Sequence, residues 1–401
     1  MKKKVSVSTM ISVLILAVVL TIAITMGSSI GIYNKLIENL PNRTGMYKQV
    51  ASIDELVRKK YYKPIDNELL SKGLSAGYVN GLNDESSFYL SAEDYIIYKN
   101  RLAGKVAGTG LTCKYNKEKN VITVTDVAEN SSAANAGIIL GDEIIKVGDD
   151  EVNESNSSDL IKKLYGEKLS SVDITYRRDG KNISVNLVMG FSLNTVTYRM
   201  IGDIAYIKIN AFYGNTKDQL DEVLKKISKQ KASSIILDLR NTSKGNIENA
   251  ASALDLIVPV GSSGIKAIAI AKNKDNEIIK TFSSDAQQIT LPILCLVSNK
   301  TSGPAELFAC DLKEFGKAEL IGEKTAGIGT MQEVFQFSDG SAVVLSVAEI
   351  YPLSGIPYDK TGLNPDYPIP LTDKQRERLG IMKDQEDPHI SKALNILSTG
   401  K

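Results

Sequence analysis

The polar and apolar positions change rhythm several times along the chain. From Ile37 to Arg101 the rhythm is helical: Val50, Ile53, Leu56, Val57 and Tyr61 recur at helical spacing, and LLSKGLSAGYVNGL is a second such run. LNDESSFYL, Leu82–Leu90, reads as a turn. Ser91 opens a third helix, with Asp94 as the acidic partner three residues on. From Gly104 short alternating strands take over, NVITVTDV and then SVDITYRRDGKNISVNLVM, where Asp179-Gly180 is a hairpin turn. The helical piece SSDLIKKLYG lies between them. From Val196 strands and helices alternate. DIAYIKIN, ASSIILDLR and PILCLVS are strands. TKDQLDEVLKKISKQ is a helix with Leu220, Val223, Leu224 and Ile227 on one face, IENAASALDLIV is another, and PAELFACDLKEF presents Ala305, Phe308, Leu312 and Phe315. Such alternation predicts a mainly parallel α/β core with its site in the loops after the strands. The end, from Thr372, reads as a charged helical tail.

Composition narrows the function. Of 401 residues, 48 are basic and 47 acidic, which leaves no basic surplus for nucleic-acid phosphates. Cys113, Cys295 and Cys310 are too scattered for a disulfide framework or a metal cluster, and no cofactor is expected. The only histidine is His389, so a Ser–His triad is excluded unless that residue is its base. Lys2, Lys3 and Lys4 precede Val5–Gly27, 23 residues without a formal charge. That run is long enough to cross about 30 Å of hydrocarbon and predicts a single-pass signal anchor with the bulk of the chain outside the cytoplasm.

Several segments, in order, resemble the carboxyl-terminal processing (tail-specific) serine peptidases. GLSAGYVNGLNDESSFYLSAEDY is similar to the family's helical N-terminal part, and GTGLTCKYNKEKNVITVTDVAENSSAANAGIILGDEIIKVGDDEV to its PDZ domain. SIILDLRNTSKGN stands where the family writes DLRNNPGG, and ELIGEKTAGIGTMQ where it writes a relative of VGEKTFGKGxVQ. The resemblance implies an α+β multidomain chain: a stub and anchor over 1–33, a helical segment over 34–103, a PDZ domain over 104–190, a peptidase core over 191–371 and a tail over 372–401.

The family it resembles uses a Ser–Lys dyad, an assisting Gln, and an oxyanion hole that includes the N–H after the serine. Aligned on Glu306, the serine falls on Gly303, the lysine on Ile328 and the glutamine on Gln332. Gly303 offers no nucleophile, Ile328 no base, and Pro304 no N–H. Ser302 is the fallback nucleophile, with Lys300 and Lys324 as its candidate bases; its structural alternative is a helix cap. Cys310 lies inside the helix and lacks a histidine partner. Gly245, in the loop Asn241–Gly245, belongs to the oxyanion region, where Lys244 replaces a glycine. Gly108, Thr109, Gly110 and Leu111 match the PDZ loop that takes a peptide carboxylate. Asp142 reads as a structural turn acid and Arg177-Arg178 as a solvated strand end. The expectation is therefore a tethered pseudopeptidase that binds polypeptide C-termini or a related peptidase, alone or in an oligomer. The rival expectation is an endopeptidase rewired around Ser302.

Overall fold

A computed structural model describes residues 40–399, apart from 107, 129–130, 167–169, 259–266 and 285–288, together with Leu16, Leu20, Thr21, Thr25 and Met26. The expected anchor, Val5–Gly27, falls almost wholly outside the described residues. Among these, no helix is long and apolar enough to cross a membrane. The chain divides into two compact units, Met1–Leu74 and Ser75–Lys401.

In the first unit, α1 (Leu40–Lys60) follows the predicted helical rhythm, and α2 (Asn67–Asn80) begins in it. The stripe on α1 is uncovered: Ile53 and Leu56 are both more than half exposed.

The second unit continues with β1 (Phe88–Leu90) and α3 (Ala92–Leu102). β1 corrects the reading of Leu82–Leu90 as turn alone. Its last three residues pair antiparallel with Ala342–Val344, a partner some 250 positions away that local pattern cannot announce. Ser91 caps α3 as predicted, accepting from the Asp94 N–H at 3.1 Å.

A β-rich domain built on a six-stranded sheet follows. β2 (Lys105–Val106) precedes β3 (Leu111–Asn116), β4 (Val121–Val127), the short helix α4 (Ser132–Asn135), β5 (Glu143–Val147), β6 (Asp150–Glu151), α5 (Ser157–Tyr165), β7 (Ser171–Arg178) and β8 (Lys181–Val188). The sheet order is β3-β4-β5-β7-β8, so β3 is an edge strand. Leu111, Ile144, Leu160, Leu164 and Ile174 form its core. Asp179 and Gly180 take positive φ values of 50° and 75° in the β7–β8 turn, the conformation that Asp-Gly favours. Asp142 is buried and accepts from the Ile139 N–H and from Arg178 Nε at 2.7 Å. Arg178 is therefore the partner of a buried acid and not a solvated strand end.

β9 (Phe191–Ser192) pairs with β2, and the α/β core begins. It comprises β10 (Val196–Ile201), β11 (Ile204–Ile209), α6 (Thr216–Lys229), β12 (Ser234–Asp238), α7 (Ile247–Leu254), β13 (Ala267–Lys272), β14 (Ile278–Ser283), β15 (Ile293–Val297), α8 (Pro304–Glu314), β16 (Ala318–Gly322), β17 (Thr330–Gln336), β18 (Ala342–Pro352), β19 (Tyr367–Pro368), α9 (Asp373–Glu377) and α10 (Pro388–Thr399). The main sheet runs β10-β11-β12-β15-β16-β19, parallel except for the β10–β11 hairpin. Its central strands are unbroken apolar runs because both faces are covered. Ile235, Leu237, Ile293, Cys295 and Val297 point to one side, toward α7 and α8. Ile236, Leu294 and Leu296 point to the other, toward Ile390, Ala393 and Ile396 of α10. The C-terminal segment is helical, as expected, and α10 forms a layer packed on the main sheet. The one-sided stripe expected on α8 is also replaced: every residue from Pro304 to Leu312 is buried, because α8 lies between the main sheet and the sheet containing β13 and β18.

His389 is fully buried within this layer. Asp238 accepts from Arg240 Nε and Nη2, Asp387 accepts from Arg240 Nη1 at 2.8 and 2.9 Å, and Tyr206 donates to Asp238. His389 Nε2 donates to the Ile369 carbonyl at 2.8 Å, which leaves Nδ1 facing the Arg240 guanidinium as an acceptor. Burial, with Arg240 beside it, holds the His389 pKa below its ordinary value.

Candidate functional site

A cleft of about 330 Å³ opens where the loops after β12 and β15 meet the 325–332 segment. Ser302, Gly303, Pro304, Ile328, Gln332 and Gly245 all line it. The residues aligned by resemblance over a span of some 90 positions thus converge on one hollow. Gly108–Leu111 do not line it.

The turn at its centre joins β15 to α8. Thr301 anchors it: its hydroxyl donates to the Leu239 carbonyl at 2.9 Å and accepts from the Ser298 N–H at 2.9 Å. The Ser302 N–H donates to the Thr242 carbonyl at 3.1 Å. Gly303 then adopts φ 58° and ψ −118°, a region closed to most residues with a side chain. A sharp strand–turn–helix with such a residue at its apex is how a nucleophile is held exposed in hydrolytic enzymes. A Cβ built on Gly303 meets no atom within 4 Å. The apex is shaped for a projecting side chain and has none.

Glu306 fixes the opposite wall. Fully buried, it accepts from the Gly303 N–H at 3.1 Å and the Ile328 N–H at 2.7 Å through Oε2. Through Oε1 it accepts from the Gly327 N–H at 2.7 Å and from the Thr325 hydroxyl. Gly303 and Ile328 are therefore bound to one oxygen, which makes the predicted proximity of these positions a geometric fact. Burial raises the Glu306 pKa above the ordinary range, although four donors favour its anion.

The two positions aligned with the dyad, Gly303 and Ile328, carry neither a hydroxyl nor an amine. Pro304, the first residue of α8, has no N–H to offer an oxyanion. Ile328 places a branched hydrocarbon in the cleft. Gln332 is occupied locally, donating to the Thr330 hydroxyl at 2.8 Å and the Ser346 hydroxyl at 3.2 Å. Lys300 and Lys324 are exposed and do not line the cleft. Gly245 is required for close packing, since a Cβ there would lie 2.0 Å from the Phe212 carbonyl oxygen. Cys295 and Cys310 are buried, and burial raises both thiols well above their ordinary value.

Sequence reasoning missed the rest of the wall. Phe88, Tyr98, Arg101 and Leu102 come from β1 and α3, and Tyr213 from the loop after β11. Arg101 and Lys244 make the lining cationic against a single acid, Glu85. Burial raises the pKa of Tyr98 and of Tyr213.

Comparison with known proteins agrees with this architecture. Residues 203–369 match peptidase family S41 and residues 110–189 match the PDZ domain. In order along the chain, it is thus similar to a PDZ domain followed by an S41 peptidase core. A CtpA-like serine protease of Staphylococcus epidermidis is 26% identical over 344 residues, covering 85% of this chain and 69% of that protein. One from Staphylococcus aureus strain COL is 28% identical over 324 residues, covering 80% of this chain and 64% of that protein. Among solved structures, an S41 protease from Bacteroides fragilis NCTC 9343 shares the fold at TM-score 0.50 and 18% identity, covering 87% of this chain and 97% of that one.

Proposed function

We propose that this chain is a non-cleaving member of its family, a pseudopeptidase that holds polypeptide ends. The observation that carries the reading is the turn at Gly303. It keeps the backbone of a nucleophile apex and an open cleft, while the side chain, the following N–H and the amine expected at 328 are all missing. Loss of a nucleophile alone costs on the order of 10⁶ in rate, and loss of one oxyanion donor about 10² to 10³. Binding is not lost with them, because a groove needs only shape and polar partners. Arg101 and Lys244 favour a ligand that brings a carboxylate, as a polypeptide C-terminus does. The PDZ domain supports the same ligand class, and a related active peptidase is the second candidate partner. The 23-residue uncharged run behind three lysines supports membrane tethering with the site outside the cytoplasm.

Casein and C-terminally tailed substrates, incubated with the chain from residue 40 onward, test the proposal. Expected is no cleavage above background for this chain or for Ser302→Ala. Turnover that Ser302→Ala abolishes would establish the rewired peptidase instead; Ser302 does line the cleft. The triple change Gly303→Ser, Pro304→Ala, Ile328→Lys should give measurable cleavage, since the new Cβ at 303 enters empty space.

A further inference from the structure

A PDZ domain adds a peptide as a strand along an open sheet edge and takes its terminal carboxylate on the backbone N–H groups of the preceding loop. In this chain that edge is β3, and the loop is Gly108–Leu111. α5 packs along β3, with Leu160 and Leu164 buried beside Leu111. These side chains make an apolar floor suited to a peptide with an apolar last residue.

The donors of Thr109 and Cys113 above that floor are already engaged. The Thr109 N–H and the Thr109 hydroxyl both donate to the Leu164 carbonyl at 3.0 Å. On β3 the Thr112 carbonyl turns inward and accepts the Thr125 hydroxyl of β4. The next N–H, that of Cys113, donates instead to the Tyr165 hydroxyl at 3.3 Å. The loop is pressed onto the helix end: a Cβ on Gly108 would stand 2.4 Å from the Tyr165 carbonyl oxygen. Thr109 is fully buried, whereas Tyr165 is 44% exposed.

We propose that the peptide edge of this PDZ domain is capped by the C-terminal end of its own helix α5, with Tyr165 as the gate. A polypeptide with a free carboxylate and an apolar last residue binds by displacing the Tyr165 hydroxyl from the Cys113 amide and the Leu164 carbonyl from the Thr109 amide. The inference rests on the peptide-binding reading of the PDZ domain and adds how access is controlled. Only molecules with the gate open bind, so apparent affinity scales with the open fraction. Removing one neutral hydrogen bond from the closed state raises that fraction about fivefold.

The test compares the chain with its Tyr165→Phe variant, using a fluorescein-labelled decapeptide ending in Val-Ala-Leu, as the free acid and as the C-terminal amide. Anisotropy should show the free acid binding about fivefold tighter to the variant, with the amide unchanged. Hydrogen exchange over residues 111–116 should be faster in the variant without peptide and slower with the free acid. Tyr165→Leu, which also removes the ring, should bind at least as well as Tyr165→Phe. Equal, measurable affinity in all three proteins would overturn the gate and leave peptide binding standing. No binding by any of them, with faster exchange in the variants, would refute the PDZ peptide reading and the gate with it.

Discussion

Glu306 offers the sharpest test of how the cleft is built. Its carboxylate receives three backbone N–H groups and one hydroxyl, all from buried or half-buried residues. Glu306→Ala leaves Gly303, Gly327 and Ile328 with no acceptor and opens a cavity behind α8. A buried donor without a partner costs about 1–3 kcal/mol, so the loss should reach at least about 4 kcal/mol. Glu306→Gln keeps one acceptor oxygen. With that oxygen in the Oε2 position, Gly303 and Ile328 remain satisfied, the Thr325 hydroxyl can turn to accept, and only the Gly327 N–H faces an amide NH₂. One orphaned donor, partly offset by no longer burying a charge, predicts about 1–2 kcal/mol.

Urea unfolding at pH 7, followed by far-UV circular dichroism, measures both variants against the parent chain. The order Ala worse than Gln, with a gap of about 2 kcal/mol or more, follows from counting orphaned donors. A Glu306→Ala protein within about 1 kcal/mol of the parent would refute the counting, and with it the claim that this carboxylate clamps the Gly303 turn to the 325–328 segment.

Two further outcomes follow from the layer beneath the main sheet. Arg240→Met leaves Asp387 buried without its cation and Asp238 with only Lys208, 3.6 Å away, and should destabilise by about 3–5 kcal/mol in the same urea titration; a change under about 1 kcal/mol would mean that the buried acids are hydrated. His389, the chain's one histidine, is held below the ordinary 6.5 in the folded state, so the unfolded chain takes up a proton first as pH falls. Its contribution is complete above pH 6.5 and is lost as pH drops from there toward the folded value. His389→Gln, whose amide can still donate to Ile369, should lose less stability than the parent between pH 7.5 and 5.5; parallel pH profiles would rule the linkage out.

Much of the fold was legible because local pattern and burial coincide in it. SIILD and ILCLV are apolar throughout, as strands covered on both faces must be, and Asp179-Gly180 marked its hairpin. Leu82–Leu90 was misread because β1 exists only through its pairing with β18. At the C-terminus the helix was legible but its docking was not, because the charges cluster near α9 and only a few apolar residues, among them Ile390, Ala393 and Ile396, bury α10. At the site, positions 303, 304, 328 and 332 could be placed from motif register. Arg101 and Tyr213 could not, since a cleft wall assembled from α3 and a distant loop leaves no periodic trace.

The persistence of the cleft has a physical explanation. The groups that hold the turn are Thr301 on Leu239, Ser302 on Thr242 and Glu306 on three amides, and none of them is a group that would react. Chemistry would need a side chain at 303, an amine at 328 and an N–H at 304, and the fold requires none of these. A glycine at 303 even relieves the backbone, because φ 58° with ψ −118° strains any residue carrying a Cβ by about 1–3 kcal/mol. A proline at 304 suits the first position of α8, where its missing N–H has no helical partner to lose. A glycine at 303 and a proline at 304 therefore both stabilise the turn, so the fold itself does not oppose the non-cleaving function proposed for the cleft.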